Sequence, residues 1–138
     1  MSKRIFSFIS LVALMVLLTG ALTAAAPVTM TTFTLVQGLP SVMNVGDTNT
    51  VIIQVASDQE FVFAQALPSE YFPGRGVVAA QGAHVGQGTT AILSIPFHAK
   101  TSTLGLSSDP VLVSVTVGVR YGGGYIAVQR YDFFVQVP

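Results

Sequence analysis

Val111-Leu-Val-Ser-Val-Thr-Val-Gly-Val-Arg-Tyr121, then Gly122-Gly-Gly124, then Tyr125-Ile-Ala-Val-Gln-Arg-Tyr-Asp-Phe-Phe-Val-Gln-Val137, is the stretch whose reading decides the fold. Val111, Val113, Val115, Val117, Val119 and Tyr121 alternate with Leu112, Ser114, Thr116, Gly118 and Arg120. Side chains of a strand point to opposite faces in turn, so this period of two marks a strand with one buried face. In the second strand Ala127, Tyr131, Phe133, Val135 and Val137 share a face. A three-residue glycine loop closes the pair at Tyr121 and Tyr125. It sets Val119 against Ala127, Val115 against Tyr131, Val113 against Phe133 and Val111 against Val135. On the other face Thr116 meets Arg130 and Ser114 meets Asp132. A slip by one residue would turn every side chain to the wrong face, so the apolar pattern selects this register. Glycine supplies the positive φ that such a turn needs. Gln129 alone resists, since it falls on the apolar face opposite Val117. Either a bulge re-aims it or it lies near the sheet margin.

Working upstream, Thr89 to Ala99 alternates again. Ala91, Leu93, Ile95, Phe97 and Ala99 form one face, and Thr90, Ser94, Pro96 and His98 the other. Pro96 cannot donate to a ladder, which places this strand at an edge or pairs it only on the side its nitrogen does not face. Val77 to Gln81 reads as a short edge strand, and Gly82 to Gly88 as a glycine-rich connection. Phe61 to Leu67 is apolar on both faces, as a central strand is. Ser57-Asp58-Gln59-Glu60 reads as a polar turn separating it from Thr48 to Ser57, whose Val51, Ile53 and Val55 point inward. Phe33 and Leu35 mark a first strand, which Gly38-Leu39-Pro40 breaks. A short continuation at Ser41 to Met43 is expected to switch to the other sheet. About seven short strands with turn signals and no helical period predict an all-β, antiparallel, immunoglobulin-like β-sandwich. Its core is expected to set the odd-numbered hairpin face against Val51, Ile53, Val55, Leu93, Ile95 and Phe97.

The chain begins Met-Ser-Lys-Arg, continues almost wholly apolar from Ile5 to Leu18, and reaches Thr23-Ala-Ala-Ala26-Pro27. A basic start, an apolar run and small residues before a cut describe a secretory signal peptide, and a helix in that segment. Cleavage is expected after Ala25, dividing the chain into a leader, residues 1–25, and one domain, residues 26–138. The rival reading is an uncleaved N-terminal anchor, the only route to a membrane that the sequence offers. Leu18-Thr19-Gly20-Ala21 has the form of a lipoprotein signal with alanine where the lipidated cysteine would stand. The chain has no cysteine, so the expected exported domain is disulfide-free and held by packing alone. Charged residues are 9% of the chain, against about a quarter in typical domains. Losing Lys3 and Arg4 with the leader turns it net acidic. No basic patch is present, so nucleic acid is not an expected partner.

Val45-Gly46-Asp47-Thr48 followed by Val51-Ile-Ile-Gln-Val55 resembles the turn and second strand of bacterial extracellular immunoglobulin-like domains of the fibronectin III and Big type. Ala91 to Lys100 is similar to a later strand of such domains, and the closing pair of long strands fits as well. The resemblance spans nearly all of residues 26–138 and is one of pattern. It implies a spacer, adhesion module or assembly unit without an active site. Those domains usually occur in tandem, whereas this one follows a leader directly.

Chemistry-bearing residues are few. His84 and His98 are the only histidines, too few for a zinc site without cysteine. No G-x-S-x-G turn is present for a serine nucleophile. Asp58, Glu60 and Asp109 are the candidate calcium ligands, on the condition that they meet at one end of the sandwich. Tyr71 and Phe72, in a proline-bounded loop, are the candidates for contact with a partner protein or a sugar. Tyr121 and Tyr125 read as a cross-strand pair flanking the glycine turn. No cofactor is implied and no enzyme is expected. The expected function is a non-enzymatic structural or protein-interaction module, secreted or at the cell surface, which binds a protein partner or itself. The alternative is a module binding glycan or calcium through loop aromatics and carboxylates.

Overall fold

A computed structural model describes residues 29–70, 76–107 and 109–138, with the backbone alone at Glu70. Residues 1–25, expected to be a leader, and the Tyr71–Phe72 pair fall outside these residues. The described chain is all-β and antiparallel, with seven strands: β1 (Thr31–Gln37), β2 (Thr48–Glu70), β3 (Val77–Ala79), β4 (Ala83–Val85), β5 (Gly88–Ala99), β6 (Val111–Tyr121) and β7 (Ile126–Val135).

The 23-residue β2 is the organising element. Its first half pairs with β5 on one side, Val51 facing Ile95, and with β1 on the other, Phe33 facing Val55. Its second half pairs with β4 on the β5 side, Gln65 facing His84, and with β6 on the β1 side, Ala66 facing Val117. β3 flanks β5, and β7 flanks β6. The sequence predicted a polar turn at Ser57–Glu60. The chain instead stays extended, because this is where β1 and β5 hand over to β4 and β6. The polar groups there find partners without a turn. Met30 N donates to Asp58 Oδ1 at 2.9 Å, and Thr29 Oγ1 donates to Gln59 Oε1 at 2.8 Å. The register shifts between Ala56 and Phe61 against β5, and between Phe61 and Phe63 against β6. Irregularities of this kind let one strand bend and change partners. The buried set accordingly runs Val51, Ile53, Val55 and Phe61, then changes parity to Ala64 and Ala66.

The hairpin has the predicted register throughout, from Val111 against Val135 to Val119 against Ala127, with no bulge. Tyr121 N donates to Tyr125 O at 2.9 Å, Gly124 N donates to Tyr121 O at 3.0 Å, and Gly124 has φ +85°. Val117 does oppose Gln129. The margin explains it: β7 ends the strand order and the Gln129 side chain is exposed. Pro96 is accommodated similarly. It opposes Thr50 on β2, while β3 on the other side of β5 ends opposite Phe97. The segment read as a glycine-rich connection contains β4, a strand of only three residues.

After β1 the chain leaves β2 for the far margin. Val42 forms a parallel bridge with Gln136, Gln136 N donating to Ser41 O and Met43 N to Gln136 O. The Asn44–Asp47 turn then returns the chain to β2. Asn44 N donates to Asp47 Oδ2 at 2.8 Å, and Gly46 takes φ +95°. Both halves of β2 bury their inner faces in one cluster. Val51, Ile53, Val55, Leu93, Ile95 and Phe97 join Val111, Val113, Val115, Val117 and Val119 there. Each such side chain contributes about 1.5–3 kcal/mol by leaving water.

Candidate functional site

Among the described residues, the outward face of β2, β6 and β7 carries the densest polar chemistry. The register that buries Val113 and Val115 turns Ser114 to the opposite face, against Asp132, where it is only 3% exposed, and Thr116 outward opposite Arg130. Ser114 Oγ donates to Asp132 Oδ1 at 2.6 Å, Arg130 Nε donates to the same oxygen at 2.7 Å, and Arg130 Nη2 donates to Ser114 Oγ at 2.9 Å. The Ser114 hydroxyl and then the Arg130 guanidinium hold the Asp132 carboxyl below the usual carboxylate range. On the inner side of the same strand, partial burial raises the Tyr131 phenol. The three-residue polar knot is flanked by large apolar side chains. Phe134 is 61% exposed, Val128 59%, Ile126 56% and Leu67 51%. Near the hairpin tip, Gly118 has nothing where a Cβ would reach, and Phe63, Gln65, Arg120 and Ile126 wall a shallow groove of about 290 Å³ over it. Phe63 stacks on His84, ring centres 6.0 Å apart.

A second open feature lies along the margin. β1 ends its half of the sheet and β7 ends the other. Thr29, Met30, Thr31 and Phe33 face Tyr125–Gln129 across a groove of about 490 Å³. Tyr121, buried beside Tyr125, ties Thr31 to the hairpin tip. Its hydroxyl lies 2.6 Å from Thr31 Oγ1 and 2.7 Å from Ser57 Oγ. Its ring centre is 5.8 Å from that of the exposed Tyr125. Tyr121 is thus a structural tie between hairpin tip and first strand.

The structure does not bring the candidate calcium ligands together. Asp58 accepts from Met30 N, and Glu60 is held by Gln87 Nε2, both beside the Phe61–Tyr121 pairing. Asp109 precedes the opposite end of β6, where it accepts from Thr103 Oγ1 at 2.8 Å and Gln136 Nε2 at 3.2 Å. A strand advances about 3.3 Å per residue, so the length of β6 alone keeps them roughly 30 Å apart. Among the described residues no three His, Asp or Glu side chains converge in a way that could hold a metal ion. His98 Nδ1 lies 2.7 Å from Thr48 Oγ1, across the β2–β5 pair. The Ser114–Arg130–Asp132 knot was not singled out from sequence. Its signal was the hairpin register itself, which places Ser114 opposite Asp132 and Arg130 two positions from it on the same face.

No protein-family model matches this chain, and no curated protein matches it either.

Proposed function

We propose that this chain is an exported, non-enzymatic structural or protein-interaction module of the cell envelope or extracellular space. In this reading the two halves joined by β2 are the layers of an immunoglobulin-like sandwich, delivered by the leader 1–25. The observation that carries it is the outward face. Ile126, Val128 and Phe134 stand on the solvent side of a hydrogen-bonded strand, with Leu67 on β2 nearby and a satisfied Arg130–Asp132 pair among them. Exposed apolar side chains rimmed by polar ones mark contact surfaces, and apolar anchors beside ordered charges give a partner both energy and orientation. The absence of cysteine and the sparse charge suit a packed, disulfide-free module that works against neighbours.

Cell fractionation, N-terminal sequencing and photo-crosslinking test this reading together. The chain is expected outside the cytoplasm, beginning at Ala26. A crosslinker at Phe134 or Leu67 is expected to give discrete adducts, and one at Ile92 on β5 is not. An intact leader on a cytoplasmic chain, or equal diffuse labelling from all three positions, would sink it.

A further inference from the structure

The outer edge of β7 has a definite hydrogen-bonding parity. Tyr121 N donates to Tyr125 O, and bonded and non-bonded pairs alternate in an antiparallel ladder. The odd-numbered residues of β7 therefore direct their backbone groups to β6, and the even-numbered ones direct theirs away from it. Gln136 agrees: its N–H and carbonyl are taken from outside by Ser41 and Met43. Ile126, Val128, Arg130, Asp132 and Phe134 point the same way, and among the described residues no backbone group pairs with them; the Arg130 carbonyl accepts only from the exposed side chain of its neighbour, Gln129 Nε2, at 3.2 Å. Sheets blunt such edges with proline, bulges or charged side chains. The run Ile126–Val135 has no proline and no bulge, and its two charges, Arg130 and Asp132, are of opposite sign.

We propose that this edge pairs with the same edge of a second copy of the chain, antiparallel about a two-fold axis at Tyr131. The charge pattern selects both the occupant and the register. With Tyr131 on the axis, Arg130 lies opposite Asp132 of the second copy and Val128 lies opposite Phe134 of the second copy, each twice by symmetry. Even residues meet even residues, so every outward N–H and carbonyl from Val128 to Phe134 finds a partner. Shifting the strands two residues either way sets Arg130 against Arg130 or Asp132 against Asp132, and like charges directly opposite are destabilising. The ladder ends naturally, because Gln136, which would face Ile126, is already bonded to Ser41 and Met43. Val128 is 59% exposed, at a groove whose far wall is Thr29–Phe33 of the same chain. At the other end Gly38 packs against the Phe133 ring and leaves Phe134 exposed. The result is one continuous sheet through two copies, with Val128 and Phe134 covering each other on its outer face.

This inference deepens the interaction-module reading and rests on it. Sedimentation velocity of the purified protein over a wide concentration range tests it, with circular dichroism confirming that each variant folds. The wild type is expected to pass from monomer to dimer. Val128→Pro removes an outward N–H that β6 does not use and is expected to abolish the dimer. Arg130→Asp sets carboxylates face to face in both symmetric pairs and should weaken it about tenfold. The swap R130D/D132R restores complementarity and should recover the dimer. A wild type that stays monomeric throughout, or a dimer indifferent to these variants, overturns the proposal. In either case, crosslinks from Phe134 to a different protein would leave the broader reading standing.

Discussion

The Tyr121 hydroxyl lies 2.6 Å from Thr31 Oγ1, joining the hairpin tip to the first strand across 90 positions of sequence. The same oxygen reaches Ser57 Oγ at 2.7 Å, where β2 changes partners. One buried ring thus holds three separate pieces of chain. Tyr121→Phe keeps the ring and removes the tie. It should cost about 1–2 kcal/mol, since each intramolecular hydrogen bond is worth about 1 kcal/mol net. Tyr125→Phe, on the exposed ring, should stay within about 0.5 kcal/mol. Equilibrium denaturation in urea measures both, and equal midpoints for the two variants would contradict the assignment.

Alternation along β5 makes a second contrast. Phe97 is 1% exposed and Ile92 67%. Phe97→Ala should cost about 3–5 kcal/mol, a large share of a typical domain's stability. Ile92→Ala should change stability by no more than about 0.5 kcal/mol. Thermal melts of the two variants against wild type decide it. A larger loss at Ile92 would mean that the outer face of β5 is covered.

The hairpin was legible in the sequence because two independent signals agree, a period of two on both strands and glycines where the loop must turn. β2 was not. Ser57 to Glu60 has the composition of a turn, and composition cannot report that Met30 N and Thr29 Oγ1 satisfy Asp58 and Gln59. β4 was hidden by Gly82, Gly86 and Gly88, which read as a loop around three paired residues. At the candidate site the register correctly placed Ser114 against Asp132. Apolar character on both faces of Phe61–Leu67 correctly marked a central strand, but it gave no sign that Val62 and Leu67 face solvent. Hydropathy measures the wish to be buried, and only tertiary pairing shows which side chains are left out.

Gly124 tests the turn that fixes this register. Its φ of +85° is one that a side chain occupies at a cost. Gly124→Ala should lose about 1–2 kcal/mol. Gly123 does not take a positive φ and has open space where a Cβ would sit, so Gly123→Ala should be close to neutral. Chemical denaturation measures the difference, and amide exchange along β6 and β7 should show weakened protection for Gly124→Ala first at the Tyr121 end.

Asp132 gives a pH dependence with a definite sign. Its folded-state pKa is lowered by the Ser114 hydroxyl and Arg130, while its unfolded value is about 3.9. The stabilisation is therefore fully present above that unfolded value and is lost as the pH falls through the lower folded one. Melting temperature followed from pH 7 downward in dilute protein should fall more steeply below about pH 4 for wild type than for Asp132→Asn, which cannot titrate. Parallel curves would show that the knot adds nothing to acid resistance.

The single strand β2 also governs the time the chain needs to fold. Thr48 meets His98, Ala56 meets Thr90, Phe61 meets Tyr121 and Glu70 meets Val113. Most of its ladders close only after long stretches of later sequence have arrived. Chains dominated by such distant pairings fold on the scale of milliseconds to seconds, because loop entropy is lost before contacts repay it. Throughout that interval Phe61–Leu67 is a bare apolar β-former without a partner, and Val51–Val55 has only β1 to pair with. The segment that later pairs with β1, β4, β5 and β6 is, in a newly made chain, the one most in need of protection from its neighbours.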